Sequence, residues 1–247
     1  TVINENETAG ATFFVSNRNR GTYDANGDNY SELPELKDNS FGTNLFYQMD
    51  EFQKLSLSLS SINEYRYGGE MVDEPAHLAK QSEERTHNVL IGSVDYQLDF
   101  NNYKNTLVLY YGGQKTDRDH YTGISPDGGE ELVEFLVDPP YGTSDVITHQ
   151  GGFQLNNRID DFIYGNAVMS IGAEYIYDDV YDIIKSYNYL IDQTTTDLGA
   201  FFQYDWDIVP ELNLLTGFRI DKHNLVDKAI VSPRVSLLYK WQETTPF

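Results

Sequence analysis

The chain has no cysteine, which excludes a disulfide framework. It is poor in bases: 17 lysines and arginines stand against 39 acidic residues, a net charge of -22. Such a chain would repel a phosphate backbone, so nucleic acid is not expected as a partner. No apolar run approaches the ~18 to 20 residues of a transmembrane helix. No basic start leads into an apolar core, so no signal peptide is visible. The five histidines, His77, His87, His120, His149 and His223, lack zinc spacing. His77 and His120 fall on loops, as candidate haem or metal ligands, where a solvated histidine is the simpler reading. Asp117-Arg118-Asp119-His120 looks like a catalytic cluster, but neighbours on a strand end alternate in direction and no triad geometry follows. The paired glycines starting at 68, 112, 128 and 151 lack the strand-to-helix context of a phosphate loop. No nucleophile and base can be assembled, so no enzyme is expected. There is no low-complexity segment and no domain boundary.

What is present is alternation. From Asp197 to Trp241 three runs repeat with period two. Leu198, Ala200, Phe202, Tyr204 and Trp206 point one way, against Gly199, Phe201, Gln203 and Asp205. After the turn DIVPE, Leu212, Leu214, Phe218 and Ile220 oppose Asn213, Gly217, Arg219 and Asp221. Val231, Val235, Leu237, Tyr239 and Trp241 then oppose Ser232, Arg234, Ser236 and Lys240. Strict alternation predicts strands with one apolar and one wet face. An apolar face ending in Tyr and Trp beside a tight turn is the pattern of a membrane β-barrel, lipid outside and polar lumen inside. The 19 tyrosines agree, since Tyr favours strands and membrane interfaces. A mean hydropathy of -0.50 is no objection, because alternating faces average to polar.

The same pattern runs along the rest of the chain. In 54–67, Leu55, Leu57 and Leu59 face out with Tyr65 and Tyr67. Ser56, Ser58, Ser60, Glu64 and Arg66 face in. An inward hydroxyl row suits a wet lumen better than a packed core. Runs at 10–19, 41–49, 86–98, 106–116, 146–157 and 167–179 complete about ten strands. Several reach the ~9 to 11 residues that cross a membrane at a tilt. The connections alternate long and short, with both chain ends on the short-turn side. The longest loop is expected from about Asp117 to Asp145, with one short helix in EELVEFLV. The expected fold is all-β: an antiparallel meander of about ten long transmembrane strands.

The best local motif is Asp24-x-Asn26-x-Asp28-x-Tyr30-x-Glu32, followed by Glu35. It has the spacing of a calcium loop: oxygens at alternating positions, a backbone carbonyl at the seventh and a carboxylate at the twelfth. The sixth position, normally glycine, is Asn29, which tolerates the left-handed conformation. The flanks read as strands, and an acidic turn-rich loop without metal is the competing reading. No cofactor is required; calcium is the candidate. The alternative for the whole chain is a soluble calcium-dependent binding or adhesion β-module. It would have to bury Leu55, Leu57, Leu59, Leu198, Phe202, Leu212 and Leu214.

The segment GFRIDKHNLVDKAIVSPRVSLLYKW resembles the barrel of TonB-dependent outer-membrane transporters. The resemblance rests on Gly217, Arg219 and Asp221, then Ser232, Pro233, Arg234, Leu237 and Tyr239. DANGDNYSELPEL, INEYRYGG and EPAHLAKQSEERTHN are similar to a Bacteroidetes-type subgroup, and the likeness covers nearly the whole chain. It implies a place in a plugged 22-stranded barrel in the outer membrane of a Gram-negative bacterium. It also implies capture of a scarce, bulky ligand (a ferric chelate or siderophore, haem or cobalamin) with energy from the inner-membrane TonB complex. Implied partners are outer-membrane lipid, the plug domain, the TonB complex and the small-molecule metal chelate. Plug and coupling box are not found, and although Phe247 is an aromatic last residue, Pro246 and the threonines Thr244 and Thr245 do not make an alternating terminal strand. The expectation is therefore that 1–247 is a partial barrel domain, lacking plug and remaining strands. Glu64, Arg66, Arg219, Asp221, Arg234 and Lys240 are expected to face lumen and plug. Tyr65, Tyr67, Tyr121 and Tyr141 are candidate stacking residues for the ligand, with interface anchoring or loop packing as the alternative. Acidic loops argue against a free anionic ligand unless a metal bridges it.

Overall fold

The computed structural model describes residues 1–241; Thr244, Thr245, Pro246 and Phe247 lie outside the described residues. The chain forms one antiparallel sheet whose spatial order is its sequence order, β1 to β11. A two-residue edge, β1 (Val2–Ile3), precedes ten long strands. These are β2 (Ala9–Arg20), β3 (Glu35–Gln48), β4 (Gln53–Gly69), β5 (Gln81–Phe100) and β6 (Asn105–Ile124). Then follow β7 (Tyr141–Phe162), β8 (Gly165–Ile184), β9 (Tyr189–Val209), β10 (Leu212–His223) and β11 (Ile230–Tyr239). A single α-helix among the described residues, α1 (Gly129–Val137), lies between β6 and β7, where EELVEFLV led us to expect one.

The ten expected runs are the ten long strands, but most of them are longer than alternation indicated. β5 to β9 have 20 to 22 residues each, about twice the ~9 to 11 needed to cross a membrane. The loop expected from Asp117 to Asp145 shrinks accordingly, because β6 continues to Ile124 and β7 begins at Tyr141. The loop expected after β8 is also a strand pair closed by a tight turn, with Asn188 N donating to Lys185 O at 2.9 Å.

Cross-strand partners fix the two faces. On one face Leu55 opposes Tyr96, Leu57 opposes Val94, Val94 opposes Tyr111 and Leu109 opposes Phe153. From Leu90 to Leu98 this apolar stripe rises roughly 27 Å along β5 at about 3.4 Å per residue. Tilted by ~40° it spans roughly 20 Å, close to the ~25 Å apolar band of a membrane barrel. Asn17, Asn39, Asn63 and Asn88 form a row along its upper limit, with Asn17 Nδ2 donating to Asn39 Oδ1 at 2.6 Å.

Among the described residues no second layer covers the stripe. Phe13, Leu90 and Leu198 are all more than half exposed. A soluble monomer of this mass exposes about 11,000 Å², whereas this chain exposes 16318 Å². The self-sufficient soluble module is thereby overturned: Leu59 and Leu198 remain exposed where that fold must bury them. The opposite, polar face carries contacts between strands two apart, such as Arg118 on β6 with Asp182 on β8. The inner face of a curved wall allows such contacts, and we call it lumenal.

Candidate functional site

At the loop end of the lumenal face, two adjoining rows gather most of the arginines. Arg20, Leu36, Arg66, Arg85 and His120 stand side by side on β2 to β6. The next row toward the turns holds Arg18, Asp38, Glu64, His87, Arg118, Ser144 and Asp182. The sheet makes these rows because inward positions two apart on each strand align across the ladder.

Each guanidinium is pinned by a neighbour. Arg66 Nε lies 2.7 Å from Glu64 Oε1, and Arg118 Nη2 lies 2.8 Å from Asp182 Oδ2. Arg18 pairs with Asp38, and Arg85 with Glu83. His120 Nε2 sits 3.3 Å from Asp182 Oδ1. Arg20 Nη2 donates to Pro34 O at 3.0 Å. The members of the pairs differ in exposure: the Asp38, Asp182 and Glu64 side chains are 2%, 12% and 17% exposed, while Arg18, Arg118 and Arg66 are 61%, 32% and 52% exposed. Three of the carboxylates lie against the wall and the guanidiniums stand into the lumen.

Above these rows lies a cavity of about 750 Å³, within the ordinary range for ligand sites. Arg66, Arg85, Glu83, Thr122 and Tyr187 line it, with Ser31 and Pro34 contributed by the β2–β3 loop. That loop is docked firmly. Ser31 N donates to Gly69 O and Gly69 N donates to Ser31 Oγ, both at 2.9 Å, and Met71 N donates to Asn29 O at 2.8 Å.

The calcium-loop residues sit on the same loop and brace it from within. Asp24 Oδ1 accepts from Gly27 N at 2.7 Å and Asp24 Oδ2 from Asn29 N at 2.9 Å. Asn26 Oδ1 accepts from Asp28 N, and Asp28 Oδ1 from Tyr30 N, each at 2.9 Å. Glu32 Oε2 accepts from Ala25 N at 2.6 Å. The Gly27 amide, above all, holds the Asp24 carboxyl below its usual range; burial opposes this, and the Asn29 and Asn26 amides add to it. Asn29 adopts φ 69°, the left-handed value that the missing glycine would supply. Glu35 is elsewhere, on β3, 2.7 Å from Lys37 Nζ. Among the described residues no three acidic or histidine groups meet in a metal-sized cluster.

The four candidate stacking tyrosines share the outward face, behind the arginine wall. Tyr67 and Tyr121 are buried with Ala76, and Tyr65, Val72 and Phe135 pack around them. The Tyr121 and Tyr141 rings are 4.9 Å apart, and Tyr141 Oη lies 3.1 Å from His77 Nδ1. They form a small core that seats the β4–β5 loop and α1. Asp117 and Asp119 also face outward while Arg118 and His120 face the lumen, so the four adjacent residues form no common site. His149 stacks on Tyr111 on the outward face, with Tyr111 Oη 2.7 Å from Nδ1.

Arg219 and Asp221 belong to a second lumenal cluster, separate from Glu64 and Arg66. Glu174 accepts from Gln150 Nε2 at 2.6 Å, Tyr110 Oη at 2.8 Å and Arg219 Nη2 at 3.2 Å. Arg219 Nε donates to Asp221 Oδ1 at 2.6 Å. The long side chains reach across intervening strands because Gly152 and Gly199 lie beneath them. A Cβ at Gly199 would stand 2.3 Å from Arg219 Nη2, and one at Gly152 would stand 2.6 Å from Tyr110 Oη. Arg234 lies on β11 opposite Gly217, and Lys240 follows β11, its amide donating to Glu211 O at 2.8 Å. Alternation alone missed Arg18, Arg20, Arg85 and Arg118, which fell in segments read as loop or strand end. Their even spacing from Ser16, His87 and Thr116, carried a few residues further, would have placed them inward.

Residues 6–247 match the family model described as TonB dependent receptor-like, beta-barrel. No curated protein sequence matches. Among solved structures, the siderophore receptor PirA from Acinetobacter baumannii superposes with a TM-score of 0.72 at 13% identity, over 98% of this chain and 37% of that one. A variant of the ferric enterobactin receptor PfeA from Pseudomonas aeruginosa gives 0.72 at 12%, over 96% and 38%. The ferripyoverdine receptor of the Pseudomonas aeruginosa outer membrane, bound to ferripyoverdine, gives 0.68 at 12%, over 97% and 37%. At these identities the likeness concerns the fold. The chain spans little more than a third of the length of these structures.

Proposed function

Because the chain belongs to the TonB-dependent receptor-like β-barrel family, a family of receptors and not of enzymes, we propose that it forms part of the wall of an outer-membrane receptor for a bulky metal chelate. The observation that carries this reading is the cavity of about 750 Å³ at the loop end of the lumenal face. In this reading the loops and α1 face the outside of a Gram-negative cell, the short turns face the periplasm, and the apolar stripe meets outer-membrane lipid. The ligand settles in the cavity; displacement of a plug domain, driven by the TonB complex, lets it pass inward. No bond in the ligand is made or broken. A siderophore-type ferric chelate is the first choice, since that is the kind of ligand named for the receptors of like fold. Haem and cobalamin are the other candidates. The Glu174–Arg219–Asp221 cluster, with Arg234 and Lys240, faces the plug.

The test is uptake by cells carrying the full-length protein, with labelled ferric chelates, haem and cobalamin offered in turn. Protein-dependent uptake that stops when TonB is removed supports the reading. Its absence for every ligand would overturn it. For the β2–β3 loop the internal bracing of Asp24 and Asp28 supports an ordered loop without metal as the first proposal. Calcium is the second, and calorimetric titration with calcium decides between them.

A further inference from the structure

The net charge of -22 conceals a sorting of charge along the lumenal wall. On β8 to β10 the inward positions carry Glu174, Asp178, Asp182, Asp197, Asp205 and Asp221, with Arg219 the inward base on these three strands. On β2 to β6 the inward loop end carries Arg18, Arg20, Arg66, Arg85 and Arg118 against the acids Asp38, Glu64 and Glu83, an excess of base, and the cavity opens above these. We propose that this cavity is an anion site, and that the ligand is a bulky polyanion whose negative shell is held by Arg66 and Arg85. The inference rests on the receptor reading above and narrows it to a ligand charge class.

Three observations support it. Arg66 and Arg85 are direct partners in the β4–β5 register and both line the cavity, so two guanidinium side chains border one volume. The acid partners of Arg66, Arg18 and Arg118 lie nearly flat against the wall, at 17%, 2% and 12% exposure, while Glu83, the partner of Arg85, is 44% exposed and itself lines the cavity. They orient the guanidiniums and leave outer N–H groups free, since an arginine carries five donors. Finally, the polar lining includes the Ser31 and Thr122 hydroxyls, which can donate to a carboxylate, catecholate or phosphate oxygen. A guanidinium held in place in advance binds such oxygens in charge-assisted pairs without losing side-chain entropy on binding.

Pyrenetetrasulfonate, a bulky tetra-anion without metal, tests the site in the full-length protein held in detergent. Its fluorescence titration is compared with that of a tetracationic pyridyl porphyrin. The tetra-anion is expected to bind saturably and to weaken as salt rises. The Arg66→Gln/Arg85→Gln variant should bind it at least about tenfold more weakly, while Arg66→Lys/Arg85→Lys keeps part of the affinity. Lys115→Gln, on the outward face, should leave it unchanged, and circular dichroism checks that each variant keeps its strands. Saturable binding that is absent, matched by the tetracation, or unchanged in the double glutamine variant would overturn the anion site. Energised chelate uptake without this charge preference would sink the anion inference alone. Tetra-anion binding without uptake of any chelate would sink the metal-chelate reading alone.

Discussion

β5 passes through two different environments on one strand. Between Leu90 and Leu98 its outward residues are Leu90, Gly92, Val94, Tyr96 and Leu98; between Ser82 and Asn88 they are Ser82, Glu84, Thr86 and Asn88. Backbone pairing is continuous through both halves. Only the medium expected against the outward face changes, from hydrocarbon to water, and the Asn17–Asn88 row marks the change. Strand geometry is thus indifferent to solvent, because each backbone group is paired within the sheet. The side chains alone decide which stretch crosses the membrane.

An arginine placed in each half breaks the comparison most directly. Val94→Arg puts a charge at mid-stripe, opposite Leu57 and Tyr111. A cost of about 2–4 kcal/mol is expected in denaturant unfolding from lipid vesicles. Thr86→Arg, eight residues earlier on the same face, should cost less than about 0.5 kcal/mol. Equal costs at the two positions would mean that the stripe does not meet lipid.

The loop-end half needs its own packing, and Tyr121 supplies it. This ring is fully buried among Tyr67, Ala76 and Tyr141, and its hydroxyl has no hydrogen-bond partner among the described residues. Tyr121→Ala should cost about 3 kcal/mol or more locally. Hydrogen exchange should rise in the β4–β5 loop and α1, while the β5 amides between Leu90 and Leu98 stay protected. Tyr121→Phe removes only an unpaired hydroxyl, so no loss is expected. Exchange rising equally in both halves would show that the cap and the stripe unfold together.

The two halves also explain which features were legible in the sequence. Where the outward face is apolar and the inward face polar, alternation is plain, and Leu55, Leu57 and Leu59 against Ser56, Ser58 and Ser60 mark a strand at sight. Beyond the Asn row the inward face is charged and the outward face mixes polar residues with the tyrosines of the cap. Glu83, Glu84 and Arg85, or Asp117 to Thr122, carry no period and read as loop, although they pair across the ladder. The helix at Gly129–Val137 was legible from its own composition. The site was less so. Arg66 could be assigned an inward direction, but its neighbour Arg85 depends on a register that no single strand encodes. Tyr65 and Tyr67 were given the outward direction correctly; that they sit under a cap depends on the fold of the β4–β5 loop and α1.

A smaller effect probes the lumenal side of the same wall. Gly199→Ala places a methyl where Arg219 Nη2 and Asp221 Oδ1 now lie, 2.3 Å and 2.7 Å from the new carbon. The arginine can swing aside, so about 1 kcal/mol is expected, at the low end of overpacking. The variant should lower stability no further when combined with Glu174→Gln, because both remove the same contact. Full additivity would mean that the Glu174–Arg219 pair at 3.2 Å contributes nothing.

The β2–β3 loop offers the smallest effect, through pH. Four backbone amides, those of Gly27, Asn29, Asn26 and Asp28, favour the charged form of Asp24, so its folded pKa lies below its unfolded one. A depressed carboxyl contributes loop order fully above the unfolded value of about 3.9 and loses it as pH falls through the folded value. Protection of the Gly27 and Asn29 amides, measured against the intrinsic exchange rate at each pH, should therefore hold from neutral pH to about pH 4 and fall below it. Thr86 and Val94 on β5 should show no such step. Asp24→Asn should remove the step while keeping part of the turn, since Asn still accepts from the chain. A step that survived in Asp24→Asn would show that the Asp24 carboxylate is not what braces the loop.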